Sequence, residues 1–308
     1  MARENVAFLY GIIKDKPTIK INDKSEFVVA RIKMLTVRRS WASEELRLKG
    51  APRTDIQYVI TRNPAMIEKH IVPLKQGDVI LVKGTISTRE VKKKYICPFC
   101  HEINVHEGGV MNYVDPIFIE KTNEETVSEE EMTDKLLSKA EISNVCYVFG
   151  TLCREPEYYQ SDTGKEECDF QIATNRKRRI REDDPEKTAD YPYVKTFGAK
   201  TKEYKEVLHV GSEIFINGSL QAREVNMEKV CEYCGNPFEV MGATMEIVPY
   251  SIEYIKNCNI PEPGGDNTDL AGFDDGFMSE GDYYEMIGQY GQSGGTTDES
   301  FAGENEES

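Results

Sequence analysis

The sequence predicts a mainly β protein made of two tandem copies of a small Greek-key barrel, each with a cysteine-bearing hairpin. Segments rich in β-branched and aromatic residues recur between turn residues, as in a strand-rich fold. The two halves of the chain also share one spacing of residues. Gly77, Gly84, Arg89, Val91, Cys97 and Cys100 recur 134 residues later as Gly211, Gly218, Arg223, Val225, Cys231 and Cys234. A spacing shared over so many positions indicates a duplicated domain.

The first unit is predicted to span residues 1–122. Its predicted strands cover residues 6–13, 27–37, 56–61 and 79–86, and a fifth lies near residues 112–120, after a cysteine-bearing hairpin. Between the third and fourth strands, Met66, Ile67, His70 and Ile71 have helical spacing, with Asn63 as N-cap. Three strands, a helix, a strand, a hairpin and a last strand is the order of a five-stranded barrel of the OB type.

The second unit, residues 142–258, repeats this order. Its predicted strands cover residues 145–152, 168–175, 191–197, 213–220 and 244–256, with a helix near residues 200–208. Residues 123–141 are acidic and polar and are predicted to form a linker with one helical turn. Residues 259–308 consist mainly of Gly, Asp, Glu and Ser. They bury too little apolar surface to offset the entropy of ordering, so a disordered acidic tail is expected.

Charge is unevenly distributed along the chain. The net charge is −16, but residues 262–307 contribute 13 carboxylates and no Lys or Arg follows Lys256, so the first 260 residues carry about −3. Basic residues cluster near Arg38, Lys92 and Arg176. The chain lacks a run of about 18 apolar residues and a secretory signal pattern, so neither a membrane span nor secretion is expected. Its eight cysteines then indicate a reducing, cytoplasmic setting.

Catalytic motifs are missing from the sequence. It contains no phosphate-binding G-x-x-x-x-G-K-[ST] loop, no nucleophile elbow and no H-E-x-x-H pair, and it has only four histidines. The pattern of zinc deaminases is also absent around the cysteines. We therefore expect a binding protein and not an enzyme.

The second unit resembles the bacterial and phage single-stranded DNA-binding protein family over about 80 residues. The resemblance is carried by NVCYVFGTLCREPE from Asn144, FQIATN from Phe170, YVKTFG from Tyr193 and GSEIFINGSLQAR from Gly211. The first unit matches more weakly, through NVAFLYGII, the turn at Gly77 and GTISTRE. The acidic C-terminus is also in the style of the family.

This resemblance implies sequence-independent binding and protection of single-stranded DNA in replication, recombination or repair. Family members stack bases on aromatic residues and contact phosphates with Lys and Arg in OB-fold grooves. The residues expected to contact nucleic acid are Arg38, Arg39, Trp41, Arg89, Arg176, Lys177, Arg178, Arg179, Arg181, Tyr191, Tyr193, Phe197 and Arg223.

Some of these assignments have alternatives. Phe197 fits a core position equally well, Tyr58 and Tyr193 are ambiguous, and the basic run after Asn175 is also compatible with a solvated hairpin. The second unit is expected to supply the main DNA surface. Because the family usually assembles four barrels, the resemblance implies a homodimer. The alternative function is an interaction scaffold or loader in a replisome or recombination complex.

The two Cys-x-x-Cys motifs resemble zinc-knuckle turns. A structural zinc site needs four ligands, and each unit offers two cysteines, so Cys97, Cys100, Cys231 and Cys234 are predicted to share one Zn²⁺. Separate or intermolecular sites remain open. Cys97 and Cys100 are able to combine with His101 or His106, and Cys258 is able to complete a second site. The absence of any metal is the third alternative.

The tail contains one segment in which aromatic residues flank carboxylates. In the resembled family, an acidic C-terminus ending in a short apolar tip recruits replication and repair proteins, and the terminal GENEES lacks such a tip. Phe273, Asp274, Asp275 and Phe277 are predicted to replace it as a docking motif. The alternative is a tail that serves solubility alone.

Overall fold

The computed structural model describes residues 4–43, 52–176 and 187–260, apart from the side chains at positions 91, 93, 106–109, 224–225 and 243. The described chain is mainly β, as predicted. The predicted tail, residues 259–308, lies outside the described residues from position 261 onward. Among the described residues, no helix has the length and apolar character needed to cross a membrane.

The described part of the first unit contains strands and a short helical segment. The strands are β1 (Asn5–Ile13), β2 (Thr18–Ile21), β3 (Phe27–Val37), β4 (Thr54–Thr61), β5 (Val79–Ile96) and β6 (Ile103–Lys121). Helix α1 (Pro64–Met66) runs on into a wider helical turn, Ile67–Ile71, between β4 and β5. The predicted N-cap is confirmed, because Asn63 Oδ1 accepts hydrogen bonds from the N–H groups of Ala65 and Met66.

The second unit repeats these elements after two short helices in the linker, α2 (Met132–Leu137) and α3 (Ala140–Ser143). Its strands are β7 (Asn144–Leu152), β8 (Glu157–Gln160), β9 (Glu166–Asn175), β10 (Ala189–Asp190), β11 (Tyr193–Phe197), β12 (Glu213–Val230) and β13 (Pro237–Lys256). Helix α4 (Thr201–Val207) lies between β11 and β12. Tyr191 was predicted to begin a strand and instead precedes β11.

Strand pairing closes each unit into a ring. In the first unit, β1, β3, β4, β6 and β5 pair in that order and β5 returns to β1; only β4 and β6 are parallel, at Val59 and Val114. In the second unit, β7, β9, β11, β13 and β12 pair in the same order, with the parallel contact at Val194 and Ile247. Buried side chains from both rings form one contiguous apolar cluster.

The two rings are joined through their first strands. β1 pairs antiparallel with β7, and Ala7 lies opposite Cys146. These residues hold the same position in NVAFLYG and NVCYVFG, so a local pseudo-twofold axis passes between them. The repeated asparagines of these motifs are buried. The side chain of Asn5 exchanges two hydrogen bonds with the backbone of Ile86. Asn144 makes the same two hydrogen bonds with Leu220, the equivalent of Ile86 in the second unit.

The cysteine hairpins are longer than predicted. The fourth strands were expected to end at residues 86 and 220, but β5 continues to Ile96 and β12 to Val230, each paired with the strand that returns. The extensions are rich in charge, as in STREVKKK, and lack the alternation of apolar and polar residues that marks a half-buried strand. Their strand structure comes from hairpin pairing and not from a buried face.

The linker packs against the first unit. Met132, Leu136 and Ala140 are buried, and they lie against Trp41 and neighbouring apolar residues of β1 and β3. The N–H of Val127 donates to the carbonyl oxygen of Gly77 at 2.9 Å, which brings the start of the linker onto the turn before β5. The segment is therefore a packed element and not a free connector.

Alanine at Gly77 should destabilise the protein more than alanine at its repeat partner Gly211. Both glycines have positive φ, +83° and +94°. A left-handed conformation costs a non-glycine residue about 1–2 kcal/mol. At Gly77 a Cβ would also lie 2.3 Å from the carbonyl oxygen of Val127, whereas nothing lies within 4 Å at Gly211. Urea unfolding of the two variants measures the difference, and equal losses would contradict the linker contact.

Candidate nucleic-acid interface and cysteine cluster

Arg38 lies between the two units and not in an open groove. Its guanidinium makes two hydrogen bonds with the carboxylate of Asp55, Nε to Oδ2 at 2.9 Å and Nη2 to Oδ1 at 2.8 Å. Across the junction, Asp55 Oδ1 accepts a hydrogen bond from the N–H of Ala222 at 2.9 Å, and Arg38 Nη2 donates to the carbonyl oxygen of the same residue. The pair therefore holds β12 of the second unit.

Arg176 makes the equivalent contacts from the second unit to the first. Its guanidinium donates to Asp190, Nε to Oδ2 at 2.6 Å and Nη2 to Oδ1 at 2.7 Å. Asp190 Oδ1 in turn accepts from the N–H of Thr88 at 2.7 Å, on β5 of the first unit. Thr88 and Ala222 are separated by the same 134 residues as the other repeated positions.

The two ion pairs, Arg38 with Asp55 and Arg176 with Asp190, are called the clamp from here on. Each carboxylate is buried and accepts a hydrogen bond from one N–H of the other unit, on β12 for Asp55 and on β5 for Asp190. The clamp occupies two of the arginines predicted to contact DNA. The sequence of both repeats contained the pattern that indicates this clamp. Arg38 follows β3 and Asp55 lies on β4, and in the same way Arg176 follows β9 and Asp190 lies on β10.

Three further predicted arginines have different surroundings. Arg39 lies over the ring of Tyr250 from the second unit, 5.5 Å from its centre. Arg223 is paired with Glu246, Nη2 to Oε1 at 3.0 Å, and its side chain remains 42% exposed. Arg89 is half-buried on β5.

Trp41 is only 7% exposed and lies in the cluster beneath the linker helices. An indole covered in this way presents no open face on which a base can stack. We therefore do not carry Trp41 into the proposed interface.

The three predicted aromatics of the second unit lie on β11 or just before it. Tyr193 and Phe197 are on the outer side of β11, where both are half-buried, and Tyr191 precedes that strand with 43% exposure. Lys195 Nζ lies 5.7 Å from the centre of the Phe197 ring. Phe197 is half-buried, whereas Val194, three positions earlier on the strand, belongs to the buried core cluster.

Several predicted residues lie outside the described part of the chain. These are Lys177, Arg178, Arg179 and Arg181 in the basic run and Phe273, Asp274, Asp275 and Phe277 in the tail. The side chain of His106 is also outside it. These assignments remain predictions.

The four cysteines of the knuckles meet at the tips of the two long hairpins. Their sulfur atoms all lie within 4.8 Å of one another. Cys97 Sγ is 3.7 Å from Cys234 Sγ, and Cys100 Sγ is 3.5 Å from Cys231 Sγ. Among the described residues, neither His101 nor Cys258 belongs to this cluster. The predicted convergence of the two motifs is confirmed.

The two knuckles have the same backbone geometry. The N–H of His101 donates to the carbonyl oxygen of Cys97, and the N–H of Gly235 to that of Cys231, both at 2.9 Å. Each turn closes through a left-handed residue, with φ of 61° at His101 and 71° at Gly235. Glycine adopts this conformation at no steric cost, which accounts for its presence in the second knuckle.

Hydrogen-bond donors lie beside the sulfur atoms of Cys97 and Cys231. Asn104 Nδ2 lies 3.4 Å from Cys231 Sγ, and the N–H of Phe99 lies 3.4 Å from Cys97 Sγ. Although desolvation alone would raise it, backbone N–H groups at Cys234 and Tyr233 and the amide of Asn104 lower the pKa of Cys231 to about 6. Phe238, Tyr95 and Val240 pack around the sulfurs.

Part of the second unit matches a known protein family. Residues 143–233 match the Single-strand binding protein family. This confirms the resemblance to that family, and the matched segment runs from the start of β7 into the second knuckle. Among curated proteins, none matches this sequence.

The solved structures similar to this chain include two of the single-stranded DNA binding protein from Thermus aquaticus. A deletion mutant is 16% identical with a TM-score of 0.52, over 85% of this chain and 100% of that one. The wild-type protein is 15% identical with a TM-score of 0.53, over 85% of this chain and 98% of that one. At these identities the similarity concerns the fold.

Proposed function

We propose that this protein binds single-stranded DNA without sequence preference and protects it during replication, recombination or repair. The observation that carries the proposal is the family match of residues 143–233. Each ring is assigned to the OB type, because its strands pair in the order of that five-stranded Greek-key barrel. The role is non-catalytic. Exposed aromatics such as Tyr191 supply stacking, and basic side chains supply phosphate contacts.

One Zn²⁺ held by Cys97, Cys100, Cys231 and Cys234 is the second part of the proposal. Zinc–sulfur bonds of about 2.3 Å place the sulfurs of a tetrahedral site about 3.8 Å apart. The distances of 3.7 and 3.5 Å between facing sulfurs fit that arrangement. Four ligands leave no open position, so the metal's role is structural. It would tie the hairpins of the two units together.

A homodimer is proposed through the outer face of the joined sheet around β1 and β7. Phe8, Leu81 and Phe118 are exposed there, and the rings of Tyr147 and Phe215 stack on one another at 6.3 Å. This face surrounds the pseudo-twofold axis, so a second copy of the chain offers a matching apolar surface. Sedimentation equilibrium should give twice the 35.0 kDa of one chain.

The acidic tail is proposed to dock replication or repair proteins through the segment from Phe273 to Phe277. A second candidate function is an interaction scaffold without tight DNA binding. It is favoured by apolar residues at the hairpin tips, where Ile96, Phe99 and Tyr233 are each at least 60% exposed.

Binding of oligo-dT tests the proposal. Because Trp41 is buried, the label belongs on the DNA, and fluorescence anisotropy of a labelled oligo-dT supplies the signal. We expect tight binding whose log affinity falls linearly with log salt, at a slope of about −0.7 per phosphate contacted. Duplex DNA of equal length is the control and should bind more weakly. Absence of binding at low salt would contradict the proposal and favour the scaffold.

A further inference from the structure

The outer faces of the two rings are related residue by residue. Thr36 lies opposite Asp55 on the neighbouring strand, and Thr174 lies opposite Asp190 in the same way. Since Asp55 and Asp190 hold equivalent places in the clamp, the strands β3 and β9 are aligned by their threonines. Positions 28–37 of β3 therefore have known counterparts at positions 166–175 of β9.

This alignment shows that the charge of the outer face has changed between the units. Arg31 lies five residues before Thr36, and its counterpart before Thr174 is Asp169. Lys33 corresponds to Gln171 in the same manner. The aromatic partner is retained, because Lys33 lies opposite Tyr58 and Gln171 lies opposite Tyr193.

The face of the first unit is basic. Arg31, Lys33 and Lys20 are exposed on the outer side of β2 and β3. Lys33 makes one ion pair, with Asp15 at 3.3 Å, and both side chains are about half exposed. Such a pair is worth about 0–1 kcal/mol and is readily exchanged for a phosphate. Tyr58 lies half-buried beside these cations.

The corresponding face of the second unit carries carboxylates, one of them at the counterpart of Arg31. Glu167 and Asp169 lie on β9, and Glu157 lies opposite Asp169 on β8. Two cations lie among them: Lys195 is 3% exposed and is held by Glu167 at 2.6 Å and by Asp169 at 2.9 Å, and Arg154 is paired with Glu157. Both cations are therefore already paired within the protein, and the carboxylate of Asp169, 43% exposed, would repel a phosphate.

We propose that the phosphates of single-stranded DNA bind the outer face of β2, β3 and β4 in the first unit, through Arg31, Lys33 and Lys20, with a base against Tyr58. The equivalent face of the second unit is not a phosphate site. This inference rests on the proposed function, since it assigns the path of the same ligand. It reverses the expectation from sequence that the second unit carries the main DNA surface.

The test replaces the first-unit cations with the residues found at the equivalent positions of the second unit. The variant R31D/K33Q is titrated with labelled oligo-dT across a salt series. Loss of two phosphate contacts should weaken binding about 10-fold near 0.1 M salt and flatten the salt slope by about 1.4. The control K69D/K75Q changes the net charge equally, at exposed lysines on the helical turn and loop before β5, and should bind like wild type.

A second variant examines the other unit. Gln171→Glu places a carboxylate at the counterpart of Lys33 and should leave the salt slope unchanged, although it removes the hydrogen bond from the Gln171 amide to the carbonyl oxygen of Tyr191. Wild-type affinity in R31D/K33Q, or a salt slope flattened as much in Gln171→Glu as in R31D/K33Q, would overturn the assignment. Should R31D/K33Q fail to fold, R31Q/K33Q removes the same cations without adding a carboxylate. A wild-type protein that binds no oligo-dT would instead refute the proposed function itself.

Discussion

Replacing both Cys97 and Cys231 with serine is expected to reduce the zinc content of the protein from one ion per chain to none. Each hairpin then keeps a single cysteine, which is too few for a closed tetrahedral site. Structural zinc contributes about 10–16 kcal/mol of apparent binding free energy in small zinc peptides, so the hairpin tips should separate. The rings should remain folded, because their apolar cluster does not include the cysteines of the tips.

Metal analysis of the purified protein and hydrogen exchange of the hairpins are the measurements. We expect one zinc in wild type and faster exchange in residues 87–112 and 221–245 of the variant, with ring protection retained. Cys258→Ser is the matched control, because that residue lies outside the cluster, and it should keep its zinc. Wild-type protein that contains no metal and four freely reactive thiols at the tips would refute the site.

Replacing Asp190 with alanine should be among the most destabilising single substitutions in the chain. The carboxylate is fully buried, and Arg176, with 5% exposure, would lose its ion pair with Asp190. The N–H of Thr88 would also lose its acceptor. Removing one partner of a buried pair typically costs about 3–5 kcal/mol.

Urea unfolding measures this loss against a matched control. Glu157→Ala breaks the exposed pair with Arg154, which should cost at most about 1 kcal/mol. Arg176→Ala adds a second readout, since a clamp residue should lower stability while leaving the salt slope of oligo-dT binding unchanged. A flattened slope with unaltered stability would return Arg176 to the DNA interface.

Much of the fold was predictable because the duplication presents each strand and helix twice, in two different sequences with the same spacing. Residues 27–37 were placed correctly as a strand, since apolar residues alternate along them. The convergence of the knuckles was also predicted, because two Cys-x-x-Cys motifs that meet supply the four ligands of a structural zinc site. The hairpin extensions were not, because strands with two polar faces carry no periodic signal.

The functional residues were harder to predict, because a cation does not reveal its partner. Arg38 and Arg176 stand in basic runs and look like phosphate ligands, yet each is used within the protein by an aspartate distant in sequence. Trp41 looked like a loop aromatic, and the linker residues Met132 and Leu136 that bury it had helical spacing that could have been noticed. The difference in charge between Arg31 and Lys33 and their counterparts in the second unit became visible only when the strand register aligned the two units.

The antiparallel pairing of β1 with β7 through Ala7 and Cys146 has an evolutionary consequence. Two separate copies of one unit, joined by the same strand, would form a symmetric dimer in which every substitution appears twice. Fusion into one chain lets each half mutate alone. Arginine at position 31 and aspartate at its counterpart, position 169, are a difference that no such symmetric dimer can carry.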